Sequence, residues 1–460
     1  MQRLVRLPSR YGPALLASYL LAISLTFSRG AYSDHALQFI VMACVLLAWR
    51  FVVALRENES PRVAVPQTVL GVAWIGAFGM VWNAWNDPQI VIYAQDDWLV
   101  GRQMQGTALV LLVTYLPWLC TGWREPQWIR RARFALFAAS LLAAGFATIK
   151  VSPTPSIDVW TVQMHGAEAL LHGHNPFTAV AVHDTAPGVV RDNVPYVYPP
   201  TQVYLTMLGR LAGDVRYTML AAILVAGICM RDIARSAKLA LPAFAEDAPV
   251  LFLWLAPKLF FILEQSWVDP VQFALIALAL NAHVRGFRVL STILFGVVFS
   301  AKQTMFWVAP LAGFIFRWRL RDFILAGAVA VLAILPFLIW DYKALKYANF
   351  DFLSGLPARD DALTITNWAQ RKFEMTVPGS FPFLLSAVAV GLAAWRMRGS
   401  AAKFCVALVT TYLFLFAFNK WAFANYYFLT SSLAALAAAA SCHDPRLVRA
   451  PASKAPAVAA

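Results

Sequence analysis

Residues 323–340 read FILAGAVAVLAILPFLIW, eighteen positions without a charged side chain. Runs of similar character recur at residues 14–27, 37–55, 106–120 and 134–149. An α-helix needs about 20 apolar residues to cross the roughly 30 Å hydrocarbon core of a bilayer, and its backbone groups are paired within the segment. The runs do not alternate between polar and apolar residues, as barrel strands would. They therefore predict membrane-spanning helices.

The composition agrees with a membrane protein. The chain is 60% hydrophobic and 13% charged, and its mean hydropathy is +0.61. The net charge of +14 comes from basic residues in short loops, where the positive-inside rule accounts for them, so we do not expect a nucleic-acid partner. The five cysteines are scattered singly and show neither metal-ligand spacing nor a disulfide pattern.

The loop charges predict the topology. If residues 199–213 form a short interfacial helix that does not cross the membrane, the basic loops before and after it fall on one side. These loops are 123–133, 231–238, 285–288, 317–322 and 396–403. By the positive-inside rule this side is the cytoplasm. The expected fold is all-α and polytopic, with about fourteen spanning helices and both termini in the cytoplasm.

We divide the chain into three parts. Residues 1–132 carry about four transmembrane helices, as judged from their apolar runs. Residues 133–441 form the main transmembrane module, with external loops at 150–215 and 341–380. Residues 442–460, which are rich in alanine and proline, are expected to be a disordered cytoplasmic tail.

The external window at residues 150–200 holds most of the polar chemistry of this apolar chain. It contains Asp158, His165, Glu168, His172, His174, His183, Asp184, Arg191 and Asp192. In a membrane protein, ionisable residues gathered in this way are the default candidates for function. The window is therefore the candidate active site.

The first part of the window has helical periodicity. Asp158, Thr161, His165, Glu168 and His172 are spaced three or four residues apart and predict one face of a helix. A second face carries Ile157, Trp160, Met164 and Leu171. Ser156 is the expected N-cap and Gly173 the expected stop. The helix would lie on the outer membrane surface with its apolar face down. The helix dipole would favour the charged carboxylate of Asp158.

Two lysines on the predicted outer face indicate an anion site. Lys302 precedes Gln303, and Lys420 follows Asn419, each at a helix end. Lysine is scarce on that side of a membrane protein, and an ammonium group is a strong point-charge partner for phosphate. Lys302, Gln303 and Lys420 are therefore the candidates for binding a phosphate.

The order of the motifs resembles a known family. Asp158 is followed by ALLHGHNPF (169–177), by YVYPP (196–200) and later by Lys302-Gln303. This order is similar to that of GT-C type integral-membrane glycosyltransferases, and closest to the polyprenol-phosphate-sugar-dependent mannosyltransferases of glycosyltransferase family 87. The resemblance extends over about residues 133–441, and each motif alone is weak.

The resemblance implies an inverting, metal-independent sugar transfer without a cofactor. A polyprenyl-phosphate donor would pass a hexose or pentose to a lipid-linked or cell-envelope acceptor on the external face of the inner membrane. Asp158 would be the catalytic base, and Lys302, Gln303 and Lys420 would bind the donor phosphate. Substrate-binding candidates are His165, Glu168, Asn175, Tyr198, Tyr426 and Tyr427.

One departure from the family pattern leaves a second candidate base. The family aspartate usually follows the first transmembrane helix, whereas here about four helices precede the helix that leads to Asp158. The paired Asp96 and Asp97 after an earlier helix are therefore a secondary candidate. They lack the motifs that follow Asp158.

Two other classes stay open. A transporter or lipid flippase would also have many helices, but it should show mid-membrane charges and a repeat between its halves. An O-antigen polymerase or ligase would carry arginine and histidine in its large loop. The loop at 341–380 has Arg359 and Arg371 but no histidine.

Overall fold

The computed structural model of the protein describes residues 4–57, 62–87, 90–121, 125–183, 192–236 and 241–443. The chain is 74% helical, and within these ranges the strands form two small antiparallel sheets. This content agrees with an all-α membrane protein. The predicted tail lies outside the described residues except for Cys442 and His443, and so do residues 184–191 of the polar window.

The first part of the chain contains one sheet and several helices. Strand β1 (Leu4–Pro8) pairs antiparallel with β2 (Arg62–Pro66). The helices before the polar window are α1 (Tyr11–Ser24), α2 (Asp34–Arg56), α3 (Gln67–Asn86), α4 (Leu99–Val113), α5 (Leu116–Thr121) and α6 (Gln127–Val151).

The polar window opens the middle part. It contains the second sheet, in which β3 (Val180–His183) pairs with β4 (Asp192–Pro195). The helices of this part are α7 (Asp158–Leu171), α8 (Pro200–Leu211), α9 (Arg216–Ser236), α10 (Ala243–Trp254), α11 (Leu259–Glu264) and α12 (Asp269–Val284).

The last part is helical through most of its length. Its α-helices are α13 (Arg288–Phe299), α14 (Val308–Ile315), α15 (Leu320–Lys346), α16 (Phe352–Gly355), α17 (Ile365–Phe373), α18 (Phe381–Arg396), α19 (Ala401–Ala417) and α20 (Ala424–Ser441). A 3₁₀ turn, Gln303–Trp307, precedes α14, and a π-helical turn, Tyr347–Asp351, joins α15 to α16. Much of the segment 341–380, which we expected to be an external loop, is therefore helical, and its external position stays a prediction.

Six helical segments of the described chain are long and apolar enough to cross a membrane. They are Asp34–Arg56, Gln67–Asn86, Leu99–Thr121, Gln127–Val151, Arg216–Ser236 and Leu320–Gly355. Shorter apolar helices accompany them, among them α1, α13, α18 and α19. Length and composition thus support a membrane-embedded helical protein. The count of about fourteen spans stays a prediction.

Helix α7 begins and ends close to where the sequence predicts. It starts at Asp158, with Ile157 rather than Ser156 at the N-cap position. At the other end Gly173 has φ +74°, and the backbone N–H of His174 donates to the carbonyl of Ala169 over 2.8 Å. A left-handed glycine with this back-bonding is a common way for a helix to end.

The buried face of α7 differs from the predicted one. Its centre is Gln163 and Gly166, whereas Leu171 of the expected apolar face is 38% exposed. A Cβ at position 166 would lie 2.3 Å from the Tyr196 ring, so only glycine permits this approach. Gln163 Nε2 donates to the carbonyl of Ser266 over 2.5 Å. Residues that permit close contact and hydrogen bonding therefore set the buried face, and not the largest apolar residues.

Both ends of helix α8 contact segments near α7 and Lys302. Near its beginning, Thr201 Oγ1 lies 2.7 Å from Ser300 Oγ. Just after its end, Asp214 Oδ2 accepts a hydrogen bond from Trp160 Nε1 over 3.3 Å. Trp160 is in the first turn of α7 and Ser300 directly precedes Ala301 and Lys302. The interfacial position of α8 stays a prediction.

One continuous hydrophobic core includes residues from both predicted transmembrane parts. Helix α1 packs along α20, where Ser431 Oγ donates to the carbonyl of Ser18 over 2.9 Å. The phenol of Tyr11 donates to the carbonyl of Ala245 over 2.6 Å. The helices of residues 1–132 therefore pack into the main module over a shared core.

The connecting segments gather at two ends of the bundle. The Asp158 end consists of residues 25–33, 90–98, 152–158, 196–200, 264–269, 300–304, 356–364 and 418–426, which contact one another. The Arg231 end consists of residues 125–133, 231–236, 243–247, 285–288 and 319–322. Helix α9 links the two ends, and its fifteen residues from Arg216 to Arg231 span about 22 Å.

Candidate active site

Asp158 is the first residue of α7 and is half-buried. Its Oδ1 accepts a hydrogen bond from the backbone N–H of Val159 over 2.7 Å. Among the described residues it has no ion-pair partner. Asp158 thus combines partial burial with a carboxylate that no cation of the described residues engages directly.

Tyr198 lies between Asp158 and a second carboxylate. It follows β4, and its ring meets the Tyr196 ring edge-on at 5.9 Å. Burial raises the pKa of the Tyr198 phenol well above its ordinary value, and the nearby charges of Asp158 and then Asp269 raise it further. The phenol therefore stays protonated and can donate a hydrogen bond. Both carboxylates are close enough to act on the same ring.

Lys302 forms a buried ion pair with Asp269. Its Nζ lies 2.8 Å from Asp269 Oδ1, and neither side chain is more than 8% exposed. The other oxygen of Asp269 accepts from Asn425 Nδ2 over 2.8 Å, and the ammonium lies 4.9 Å from the centre of the Tyr426 ring. This pair joins the starts of α12 and α20 to the turn before α14. The Asp269 carboxylate compensates the charge of Lys302.

Gln303 fixes the backbone around Tyr198. Its Nε2 donates to the carbonyl of Val197 over 2.6 Å and reaches both the carbonyl and the side-chain oxygen of Asn349 at 3.2 Å. Asn349 is buried in the π-helical turn. Gln303 therefore positions Tyr198 through its neighbour in the chain.

Lys420 is exposed at the same end of the bundle. Its Nζ donates to the carbonyl of Leu356 over 2.9 Å and lies 5.5 Å from the Trp421 ring centre. The indole N–H of Trp421 donates to the carbonyl of Pro357 over 2.7 Å. No carboxylate of the described chain pairs with Lys420.

Three of the predicted substrate-binding residues line a separate cavity along α7. This open cavity of about 470 Å³ is lined by His165, Glu168, Ala169, His172, His174, Asn175, Thr178 and Ala179. The seven residues from Asp158 to His165 correspond to about 10 Å of helix. In the part of the chain that is described, these side chains do not form a group that could hold a metal ion.

The contacts of Glu168 and Asn175 mostly stabilise the fold around α7. Glu168 Oε2 lies 2.6 Å from Arg210 Nε of α8. Asn175 Oδ1 accepts from the backbone N–H of Phe177 over 2.9 Å and so shapes the turn after α7. Asn175 Nδ2 is buried without a hydrogen-bond partner among the described residues. The amide nitrogen is thus buried beside the cavity with its donors unengaged in the described structure.

Tyr426 and Tyr427 point in different directions from α20. Tyr426 faces Lys302, as described above. Tyr427 is fully buried and its phenol donates to the carbonyl of Leu363. Tyr427 therefore supports the loop at 356–364, whereas Tyr426 adjoins the ion pair. The secondary candidates Asp96 and Asp97 are both exposed.

Comparisons with protein-family models, with curated proteins and with solved structures find no match to this chain. Its function is therefore argued from the contacts and charges of the Asp158 end.

Sequence reasoning missed two members of this end, Tyr93 and Asp269. Tyr93 lies in the loop that Glu264 holds, where the carboxylate accepts from the backbone N–H groups of Ile92 and Tyr93 over 2.7 and 2.8 Å. Asp269 is the partner of Lys302. Both contacts join residues far apart in the chain, so no local spacing could reveal them. The only sequence signal was the position of Glu264 and Asp269 at helix ends.

Proposed function

We propose that this protein is a membrane glycosyltransferase that moves a sugar from a polyprenyl-phosphate donor to a lipid-linked or cell-envelope acceptor. One observation carries the proposal. An unpaired carboxylate, Asp158, shares the surroundings of Tyr198 with the Lys302–Asp269 pair. This arrangement supports the proposal, because the reaction needs a base and a hydrogen-bonding group for the leaving phosphate near the same sugar.

In the proposed reaction Asp158 is the general base. Its carboxylate takes the proton of an acceptor hydroxyl, and the oxygen attacks the anomeric carbon of the donor sugar. The bond from that carbon to the phosphate oxygen breaks, and polyprenyl phosphate leaves with the electron pair. A positioned base of this kind contributes typically about 10²–10⁴-fold to a rate. The direct displacement inverts the anomeric centre.

The leaving phosphate gains negative charge as the bond breaks, so groups that donate hydrogen bonds to it accelerate the reaction. We propose that Lys302 offers such a bond. An ammonium group has three N–H donors, and one of them is engaged by Asp269. Gln303 positions the adjacent backbone, and the exposed Lys420 stands at the rim of the site.

The cavity at His165, Glu168 and Asn175 is proposed to bind the acceptor. Its polar lining fits sugar hydroxyl groups. It opens about 10 Å along α7 from Asp158, which suits an acceptor that extends past the reacting hydroxyl. The positive-inside rule supports an external location for this end.

The decisive test replaces Asp158 with asparagine, which keeps the shape and removes the base. Membranes containing the full-length chain receive a panel of polyprenyl-phosphate hexoses and pentoses with labelled sugar, and transfer to membrane glycolipid is counted. We expect Asp158→Asn to lower transfer by about 10²–10⁴-fold. The control Asp96→Asn should leave it unchanged. Full activity of a stably inserted Asp158→Asn protein would exclude Asp158 as the base.

The same membranes distinguish the transporter class. Vesicles with the wild-type chain are loaded with a fluorescent polyprenyl-phosphate lipid on one leaflet. Lipid that crosses without any sugar transfer would argue for a flippase and against the proposed enzyme.

A further inference from the structure

Arg29 stands at the Asp158 end in an unusual backbone conformation. It follows α1 and has φ +54°, which is uncommon for a residue other than glycine. Its side chain is half-buried and makes no hydrogen bond or ion pair with another residue of the described chain. An observed backbone outlier with an unengaged charge is a reason to look for a function.

The loop that carries Arg29 is held firmly in place. Ala31 forms a β-bridge with Ala362, and the backbone N–H of Tyr32 donates to the carbonyl of Asp361 over 2.7 Å. Gly30, with φ +84°, lies so close to α20 that a Cβ there would be 2.1 Å from the backbone nitrogen of Ala424. The position of the Arg29 backbone is therefore fixed relative to residues 361–362 and 424.

A second arginine lies on the same segments. Arg359 has its guanidinium 4.8 Å from the ring centre of Phe423 and 2.7 Å from Asp361. Phe423 directly precedes Ala424, which Gly30 contacts. The two arginines thus approach the beginning of α20 from neighbouring positions.

The four residues Phe423, Ala424, Asn425 and Tyr426 connect the parts of the site. Phe423 contacts Arg359, Ala424 contacts Gly30, Asn425 bonds Asp269, and Tyr426 faces Lys302. This tetrapeptide brings the Arg29 loop, the Arg359 loop and the buried ion pair together. The Arg29 loop, the Arg359 loop and the Lys302–Asp269 pair therefore all adjoin the start of α20.

The charges of this site favour an anion beside Arg29. Lys302 is compensated by Asp269, and Arg359 by Asp361. Arg29 has no such carboxylate in the described structure, and the charges of Arg29 and Asp158 both act on the phenol of Tyr93. Burial raises the pKa of the Tyr93 phenol, the charges of Glu264 and Asp158 raise it further, and Arg29 lowers it. Arg29 and Asp158 therefore both lie near this phenol.

We propose that Arg29, supported by Arg359, binds the phosphate group of an anionic ligand next to Asp158. A guanidinium presents a planar fork of donors that matches phosphate oxygens. With the glycosyltransferase proposed above, on which this assignment rests, the ligand is the polyprenyl phosphate that leaves. It becomes a dianion as its bond to the sugar breaks, so a cation there stabilises the departing group most.

This assignment gives residues 1–132 a part in the site. Arg29 comes from the loop between α1 and α2, and Tyr93 from the loop between α3 and α4. The N-terminal helices are therefore a component of the phosphate site and not an added module beside it.

The test measures binding to the full-length protein in detergent micelles by titration calorimetry. The probes are farnesyl phosphate, the neutral alcohol farnesol, and inorganic phosphate. The variant is Arg29→Gln, and the matched control is Arg317→Gln. Arg317 is another arginine with positive φ, +55°, but it is exposed and lies between α14 and α15. Both substitutions keep the backbone strain and remove one charge.

We expect Arg29→Gln to weaken farnesyl phosphate binding at least about tenfold, as the loss of a charge-assisted hydrogen bond implies. Farnesol binding should not change, and Arg317→Gln should behave as the wild type. Farnesyl phosphate binding that is equal in wild type and Arg29→Gln would overturn the proposal. So would wild-type protein that binds farnesol as tightly as farnesyl phosphate. Inorganic phosphate that binds as tightly, and depends on Arg29, would support the anion site and assign it to free phosphate.

The outcome can be separated from that of the glycosyltransferase proposal. Phosphate binding that depends on Arg29, without sugar transfer by the wild type, would retain the anion site and reject the enzyme. Sugar transfer that depends on Asp158 but proceeds in Arg29→Gln with unchanged kcat and KM would reject the anion site and retain the enzyme.

Discussion

The two ends of the helical bundle treat their charges differently. At the Arg231 end, Arg133 forms a two-point ion pair with Glu125 at 2.7 and 2.6 Å, and both side chains are at most 3% exposed. Arg231 likewise pairs with Asp247 over 2.9 Å. At the Asp158 end, Asp158 and Arg29 have no charged partner among the described residues. The charges named at the Arg231 end are paired and hold helices together, whereas the Asp158 end combines pairs such as Lys302–Asp269 with the unpaired Asp158 and Arg29, which remain for a ligand.

The free-energy cost of burying a charge explains why this contrast is informative. A buried charge without a partner is expensive, and removing one member of a buried pair typically costs about 3–5 kcal/mol. The buried charges of the Arg231 end avoid this cost because they pair with one another. The half-buried charges of Asp158 and Arg29 are compensated by solvent or, as proposed, by a ligand. Functional sites commonly depart from full pairing in this way.

The largest expected effect tests the paired end. Glu125→Ala leaves the guanidinium of Arg133 buried without its carboxylate, so the free energy of unfolding should fall by about 3–5 kcal/mol. Asp158→Asn breaks no ion pair and should leave stability within about 0.5 kcal/mol of the wild type. Thermal unfolding of the two variants in detergent compares them directly. Equal losses would abolish the distinction between the ends.

The next effect concerns the buried ion pair of Lys302 and Asp269 at the Asp158 end. Lys302→Met leaves Asp269 fully buried and uncompensated, and should destabilise the protein by roughly 3 kcal/mol. The double variant Lys302→Met with Asp269→Asn removes both charges and should recover at least half of the loss. A double variant as unstable as the single one would show that the pair itself contributes little.

A smaller effect tests the junction that holds Arg29. Gly30→Ala combines a strained φ with a clash against Ala424, and should cost about 1–3 kcal/mol and weaken farnesyl phosphate binding. Gly173→Ala is the control, because its φ is also positive but no atom lies within 4 Å of the new Cβ. It should cost only the backbone strain and spare phosphate binding. Equal phosphate affinity in the two variants would contradict a link between Gly30 and the site.

The smallest effect is a pH dependence of the loop that carries Arg359. The hydrogen bond from Arg359 lowers the pKa of Asp361 below its ordinary value of 3.8. Because the folded-state pKa is depressed, the contribution of the pair is present above pH 3.8 and is lost as the pH falls through the lower, folded value. Both side chains are about half exposed, so the change should be slight. The protection factor of the Tyr32 N–H, which bonds to the carbonyl of Asp361, is its exchange rate corrected for the intrinsic effect of pH, and it should fall on acidification in the wild type but not in Asp361→Asn.

Local features of the sequence predicted the fold best. The apolar runs indicated helices, and the spacing around Asp158 placed α7 within one residue of its true start. Gly173 ended the helix as expected. These predictions depend on residues within a few positions of one another, where helix periodicity and capping act. The predicted base, Asp158, is only half-buried, and its chemical function remains a prediction.

Contacts between distant residues could not be predicted in this way. Lys302 is separated from Asp269 by 33 positions, and Arg29 reaches the site only because Gly30 packs on Ala424. The prediction of which face of α7 is buried was also wrong, because the small Gly166 lets the Tyr196 ring approach the helix. A pattern of hydrophobicity records how apolar a residue is, but not which neighbour comes close enough to exclude a side chain.

The tetrapeptide from Phe423 to Tyr426 has a consequence for the order of assembly. This segment is synthesised after the other residues of the site, which are Arg29, Asp158, Asp269, Lys302 and Arg359. Domains begin to fold during synthesis. Until α20 is inserted and packs along α1, Asp269 lacks its hydrogen bond from Asn425, and the loops of Gly30 and Arg359 lack their contacts with the start of α20. The site thus comes into being only when a late helix meets an early one, so an incompletely synthesised chain carries the charges of the site without its geometry.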